Sequence, residues 1–136
     1  MNPQSAYELC KQNGRNEEME KIILTDSKYS CLYALIIIKD RWEEAESVIM
    51  QDPYHTFSYA KFILKGRWIE AEHVLMEEPF CAYFYACDIL KDKWIEAEQY
   101  IVRDKYYSNS YFNKFYRNEN IHDVRMTRDI SNLLMF

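Results

Sequence analysis

The sequence predicts an all-α fold, an α-solenoid of about five stacked short helix-turn-helix repeats, on three observations. The stretch Trp68-Ile69-Glu70-Ala71-Glu72 stands between near-copies of itself, Trp42-Glu43-Glu44-Ala45-Glu46 and Trp94-Ile95-Glu96-Ala97-Glu98, each 26 residues away. A fixed period in this range marks a repeat architecture. Apolar residues inside each period follow a helical step. Two glycines in 136 residues argue against a sandwich or barrel, which needs many tight turns.

Laid out at this period, the rows are 1–26, 27–52, 53–78, 79–104 and 105–130, with a tail at 131–136. Together they read as one solenoid domain. Tyrosine fills the seventh position of all five rows, as Tyr7, Tyr33, Tyr59, Tyr85 and Tyr111. Alanine follows it in the middle rows, as Ala34, Ala60 and Ala86. The outer rows carry Asn16 and Asn120 in place of tryptophan, and Met19 and Asp123 in place of alanine. Degenerate end units suit a stack whose outer faces meet water.

Each row reads as a helix, a turn, a second helix and another turn. Asn2-Pro3 and Asp52-Pro53 place a capping side chain before a proline at the first helical position, where the missing N–H costs nothing. Glu78-Pro79 offers a poorer cap, and Asp26-Ser27 and Asp104-Lys105 offer aspartate without proline. First helices then bury Tyr33, Ala34, Ile37, Ile38 and their counterparts Tyr59, Ala60, Ile63, Leu64 and Tyr85, Ala86, Ile89, Leu90. The turns are Lys39-Asp40-Arg41, Lys65-Gly66-Arg67 and Lys91-Asp92-Lys93. Gly66 is the residue expected to take the left-handed conformation there, and the aspartates are expected to cap the helix that follows.

Second helices of ~10–12 residues carry Trp42, Ala45, Val48 and Ile49, with Trp68, Ala71, Val74, Leu75 and Trp94, Ala97, Tyr100, Ile101 matching. Both glutamates of each Glu-Ala-Glu motif fall in a first turn, where the helix dipole favours negative charge. So short a helix is marginal alone, and stacking has to supply the stability. A C-terminal capping helix is expected from Ile121 towards Leu134, with Phe136 docked or frayed beyond it.

The bulk numbers narrow the function. With 49% apolar and 29% charged residues the chain reads as ordered and globular. A net charge of −5 lacks the basic excess of general nucleic-acid binders. The longest apolar run, Leu32 to Ile38, is too short to span a membrane. Met1-Asn2-Pro3 has none of the regions of a signal peptide, so a cytoplasmic location is expected. Cys10, Cys31, Cys81 and Cys87 form no CxxC motif and read as reduced, packed thiols. His55 and Cys81 share the third column of adjacent rows, two ligands where zinc wants four, and no metal or cofactor is expected.

The run Tyr59-Ala60 … Leu64-Lys65-Gly66-Arg67-Trp68-Ile69-Glu70-Ala71-Glu72 resembles a shortened tetratricopeptide-type hairpin, although that family's period is longer. It is more similar to a family of short "KGRW-x-EAE … DP … YA" repeats carried by large tailed bacteriophages and some intracellular bacteria. The resemblance covers nearly all of the chain, and the middle three rows match best. It implies an α-solenoid of viral origin, working in the host cytoplasm, and it carries no catalytic residues across.

Candidate sites follow from the columns. Trp42, Trp68 and Trp94, with Tyr33, Tyr59, Tyr85 and Ala45, Ala71, Ala97, are expected in the core, an exposed base-stacking platform being the competing reading for the tryptophans. Tyr29, Tyr54, Phe80, Tyr106 and Tyr107 lie near the starts of first helices, where they form either an aromatic surface for a protein partner or a crowded interior edge. Lys39, Arg41, Lys65, Arg67, Lys91, Lys93 and Arg117 form a basic edge, and Asp26, Asp52, Glu77, Glu78 and Asp104 an acidic one. Helix dipoles and salt bridges explain both edges without a ligand, the other reading being contact with an acidic partner or an RNA backbone. No nucleophile-base set or phosphate loop is present, and His73 and His122 fall in unrelated columns. The chain is therefore expected to be a non-catalytic protein-interaction module, with a host protein such as a defence factor as the partner to block or redirect. RNA binding along the basic turns and self-assembly by end-to-end stacking are the alternatives.

Overall fold

The computed structural model describes residues 1–117, and all the regular structure among them is helical. The expected capping helix, Phe136 and the His122 column lie outside the described residues. By internal contacts the chain divides into two compact units, Met1–Leu75 and Met76–Phe136.

In the first unit, α1 (Pro3–Asn13) and α2 (Glu17–Ile23) form a hairpin. Next come α3 (Ser27–Leu32) and α4 (Glu46–Ile49), then α5 (Pro53–Tyr59) and α6 (Glu72–Met76), whose last residue begins the second unit. Helix α1 packs on α2 and α3, and α3 packs on α1, α4 and α5. The second unit holds α7 (Pro79–Tyr85), α8 (Glu98–Ile101) and α9 (Lys105–Tyr116), each in contact with the other two.

Asn2 caps α1, and each later first helix is capped by the residue that closes the preceding row. Asn2, Asp26, Asp52 and Asp104 accept backbone N–H bonds of 2.8 to 3.2 Å from Ser5, Tyr29, Tyr54 and His55, and Tyr107. Glu78 reaches Phe80 N only at 3.4 Å, as its longer side chain would suggest. The prolines Pro3, Pro53 and Pro79 stand at the first helical positions.

Three departures from a plain helical hairpin recur in the central rows. First, α3, α5 and α7 do not end as α-helices. They widen into i→i+5 turns over Tyr33–Ile38, Ala60–Leu64 and Ala86–Leu90. Second, the left-handed residue that closes each widened turn is the lysine, at φ 59° for Lys39, 54° for Lys65 and 56° for Lys91. Gly66 has no such conformation, because the wide turn brings the reversal one residue earlier than a plain helix would. The N–H groups of all three lysines bond back to Ala34, Ala60 and Ala86 carbonyls. Asp40 and Asp92 accept from the very next backbone N–H, at 2.7 Å each, so they pin the turn and do not cap the following helix.

Third, the second helices are far shorter than their apolar pattern implies. Trp42, Trp68 and Trp94 are not helical at all, with φ near −120° and ψ 84°, 83° and 83°. A tight i→i+3 turn follows each, over Glu43–Ala45, Ile69–Ala71 and Ile95–Ala97, and only 4 or 5 α-helical residues come after it. An indole has no acceptor with which to cap a helix. Where Asn16 replaces tryptophan, its side chain caps Met19 N at 3.1 Å and α2 is a regular helix of 7 residues.

The core is a set of columns. Tyr33, Tyr59, Tyr85 and Tyr111 are wholly buried, as are Ala34, Ala60, Ala86, Ala45, Ala71 and Ala97. Trp42, Trp68 and Trp94 are buried too, and each packs on the tyrosine of its own row, with ring centroids 4.9, 5.1 and 4.8 Å apart. Cys10, Cys31 and Cys81 are buried and Cys87 half-buried, all four as free thiols. Burial pushes the Cys31 thiol up to about 12.

A non-glycine residue in the left-handed region carries a steric cost of roughly 1–2 kcal/mol, highest for β-branched side chains. Lys65→Gly should therefore be at least as stable as the parent chain in chemical denaturation, whereas Lys65→Val should lose about 1–2 kcal/mol. Equal losses in both variants would show that the lysine is held there by some contact other than the turn.

Candidate interaction surface

The basic edge is built from two kinds of residue with different roles. Lys39, Lys65 and Lys91 are exposed at the left-handed turn positions. Arg15, Arg41 and Arg67 each fork onto a glutamate five residues on, with paired N–O distances of 3.2 and 3.0, 2.8 and 3.0, and 2.7 and 3.0 Å to Glu20, Glu46 and Glu72. Such planar two-bond pairs are the strong form of a charge-assisted bond. The glutamate side chains are only 12%, 12% and 10% exposed.

Glu20 and Glu46 also take a tyrosine from the following row. Tyr33 donates to Glu20 Oε2 at 2.8 Å, and Tyr59 donates to Glu46 Oε2 at 2.7 Å. The same phenol oxygens accept backbone N–H bonds from Asn16 at 3.4 Å and Trp42 at 2.8 Å. In the second unit Tyr111 repeats both bonds, to Glu98 at 2.7 Å and from Trp94 N at 2.8 Å. There the arginine position holds Lys93, whose ammonium sits 4.1 Å from the Tyr116 ring centroid, while the Tyr116 hydroxyl donates to Glu98 at 2.6 Å. Tyr116 thus supplies the second donor that arginine provides elsewhere.

Glu46 and Glu98, the second glutamates of their Glu-Ala-Glu motifs, are therefore row-to-row connectors, a role that dipole matching alone did not suggest. The first one, at Glu44, Glu70 and Glu96, is exposed and fits the dipole reading. Columns 7, 15 and 20 are all visible in the sequence. Their conjunction is not, because the tyrosine belongs to the next row, 13 residues beyond its glutamate.

Catalytic geometry does not assemble around the obvious trio. Ser27 Oγ lies 3.3 Å and Asp52 Oδ1 3.6 Å from the same nitrogen, His55 Nδ1, and Ser27 Oγ donates to the Ile49 carbonyl at 3.1 Å. A relay needs serine and carboxylate on opposite ring nitrogens. His73 is exposed. Among the described residues no three His, Cys, Asp or Glu side chains are placed to share a metal ion. None of the helices among them is long and apolar enough to cross a membrane. An open groove of about 450 Å³ on the first unit is bordered by Arg15, Glu17, Glu20, Lys21 and Glu44, a mixed-charge rim in which Arg15 and Glu20 already bond each other.

The aromatic candidates divide as well. Tyr54 is 47% exposed and Tyr106 70%, while Tyr29, Phe80 and Tyr107 are half-buried. Tyr29 packs 5.6 Å from the Tyr7 ring. Exposed apolar side chains are a surface feature that the columns did not single out: Ile69 and Ile95, 67% and 64% exposed, follow the tryptophans, and Ile36 and Phe62 lie exposed in the widened turns.

Two outcomes follow from the tyrosine bonds. Tyr59→Phe leaves the Trp42 N–H without an acceptor and takes from Glu46 Oε2 one of its two donors, the other being Arg41 Nε, so it should cost about 1–3 kcal/mol in denaturant unfolding. A loss within error of zero would mean that water replaces the hydroxyl. Burial, then the bond to glutamate, raises the Tyr33, Tyr59, Tyr111 and Tyr116 pKa values well above the ordinary 10.0. Above pH ~10 the unfolded chain releases phenolic protons that the folded chain keeps. Stability is thus intact below that pH and falls as pH rises, and tyrosinate absorbance from these residues should appear together with loss of the helical signal.

Comparisons with protein-family models, with curated proteins and with solved structures return no match for this chain.

Proposed function

We propose that this chain is an α-solenoid of 26-residue hairpins that acts as a non-catalytic protein-interaction module. One observation carries the reading. The tyrosine–glutamate–backbone connection is the same at rows 1 to 2, 2 to 3 and 4 to 5, which is what a translationally repeated stack requires. A scaffold held by identical row-to-row bonds presents a rigid surface, and rigid aromatic and aliphatic side chains such as Tyr54, Tyr106, Ile69 and Ile95 suit recognition of a protein. If the resemblance to phage-borne repeats holds, the partner is a host protein that is blocked or redirected.

The alternatives have weaker support. Arg15, Arg41 and Arg67, the basic side chains best shaped for phosphate, are each engaged by a glutamate, and the net charge is −5. End-to-end assembly through the same connection meets Val124 in the fifth row, where four rows carry glutamate.

Affinity capture from host lysate with the intact chain should return one protein in stoichiometric amount. Recovery of no protein, or of RNA bound in a salt-sensitive way, would count against the reading. Repeating the capture with Lys65→Glu tests the basic edge without disturbing a glutamate pair, which Arg67→Glu would do.

A further inference from the structure

In the second unit, five aromatic rings of α7 and α9 touch one another without being fully buried. Phe80 packs 4.8 Å from Phe84 and edge-on at 5.6 Å to Tyr107, and Tyr83 lies 4.9 Å from Phe84 and 5.9 Å from Tyr107. Tyr106 stands perpendicular to Tyr107 at 5.0 Å and is 70% exposed. Carboxylates edge this cluster, because Glu78 and Asp104 cap the two helices that carry it. The Tyr107 hydroxyl senses them: burial first, then Tyr106, Asp104 and Glu78, raise its pKa.

An aromatic face is negative at its centre, and nearby carboxylates add to that potential. The complementary group is a flat, weakly hydrated cation. Guanidinium meets both demands, since it stacks on rings and forks onto carboxylates, where ammonium does only part of each. The same unit already uses such contacts internally, with Arg103 4.9 Å from the Tyr100 ring centroid and Lys93 4.1 Å from that of Tyr116. A net charge of −5 steers basic segments towards the chain as a whole. Lys105, exposed at the first position of α9, offsets part of the local field.

We propose that this aromatic and acidic face of the second unit docks an arginine-rich segment of a protein partner. The assignment rests on the protein-binding reading above and names the chemistry of the partner. Tyr106 supplies the outermost ring for stacking, and Glu78 and Asp104 supply the carboxylates that the guanidinium groups pair with.

The test titrates the intact chain with labelled nona-arginine, nona-lysine and nona-glutamate peptides at about 150 mM salt, where remote surface charges are largely screened. Nona-arginine should bind saturably, more tightly than nona-lysine, and nona-glutamate should not bind. Tyr106→Ala should weaken nona-arginine about tenfold. The double variant Glu78→Gln, Asp104→Asn keeps both capping acceptors and should weaken it at least as much, while Glu17→Gln, Glu18→Gln in the first unit should leave it within about twofold. Thermal melts of each variant separate loss of binding from loss of fold. Nona-arginine affinity unchanged in a folded Tyr106→Ala chain, or equal binding of the lysine peptide, overturns the proposal. A stoichiometric protein partner indifferent to Tyr106→Ala also overturns it but leaves the protein-binding reading standing. Tight RNA binding with no protein partner overturns both.

Discussion

At three junctions one phenol oxygen ties a row to the next. It donates a hydrogen bond to a nearly buried carboxylate and accepts one from a backbone N–H that the helix leaves without a partner. Tyr59 does this for Glu46 and Trp42, and Tyr111 for Glu98 and Trp94, so two groups that would be costly to leave unpaired are satisfied by one side chain. The carboxylate needs a further donor to justify its burial. Arg15, Arg41 and Arg67 provide it as a fork, and Tyr116 provides it beside Lys93. The network is local to each junction, and each junction is complete in itself.

The local irregularities accompany the tryptophan and not the tyrosine bond itself, because Tyr33 makes the same bond to Asn16 N in row one, where α2 is regular. Trp42 is non-helical, as Asn16 is, but an indole cannot cap the helix that follows, and a tight turn stands where a normal first helical turn would begin. The indole then packs on the tyrosine of its own row, which fixes the ring whose hydroxyl reaches back to the preceding one. Widening of the first helix before its left-handed lysine accompanies the tryptophan in every central row. Row one has Asn16 in place of tryptophan, and there both helices stay regular and Gly14, at φ 90°, closes the first. The departures therefore travel as a set.

This division also sorts the surface. Within the basic edge, Arg41 and Arg67 pair with glutamates while Lys39, Lys65 and Lys91 hold left-handed turn positions. Within the acidic edge, Asp26, Asp52, Glu78 and Asp104 are helix caps, doing for the backbone N–H groups what the tyrosines do for the tryptophan N–H. Among these charges the outward surface also carries apolar and aromatic side chains, such as Tyr54, Ile69, Ile95 and Tyr106. The second unit gathers that surface most densely, around Phe80, Tyr106 and Tyr107.

The sequence by itself determined the all-helical class, the period, the capping residues at row boundaries and the columns of alanine, tyrosine and tryptophan, because periodicity and capping are local chemistry repeated at fixed spacing. It also displayed the connecting network apart from Tyr116, since Arg15, Glu20 and Tyr33 and their counterparts stand in constant columns, with Lys93 for arginine in the fourth row. What it could not show is that Glu20 and Tyr33 meet, or that Glu18 and Glu20, two residues apart and alike in composition, face different surroundings. Apolar spacing likewise could not distinguish a full second helix from a tight turn followed by one short one, as both place Trp42 and Ala45 inward. Only the folded chain decided these points. The bonds that join Glu20 to Tyr33, Glu46 to Tyr59 and Glu98 to Tyr111 run from one row to the next, and no pattern within a single row records them.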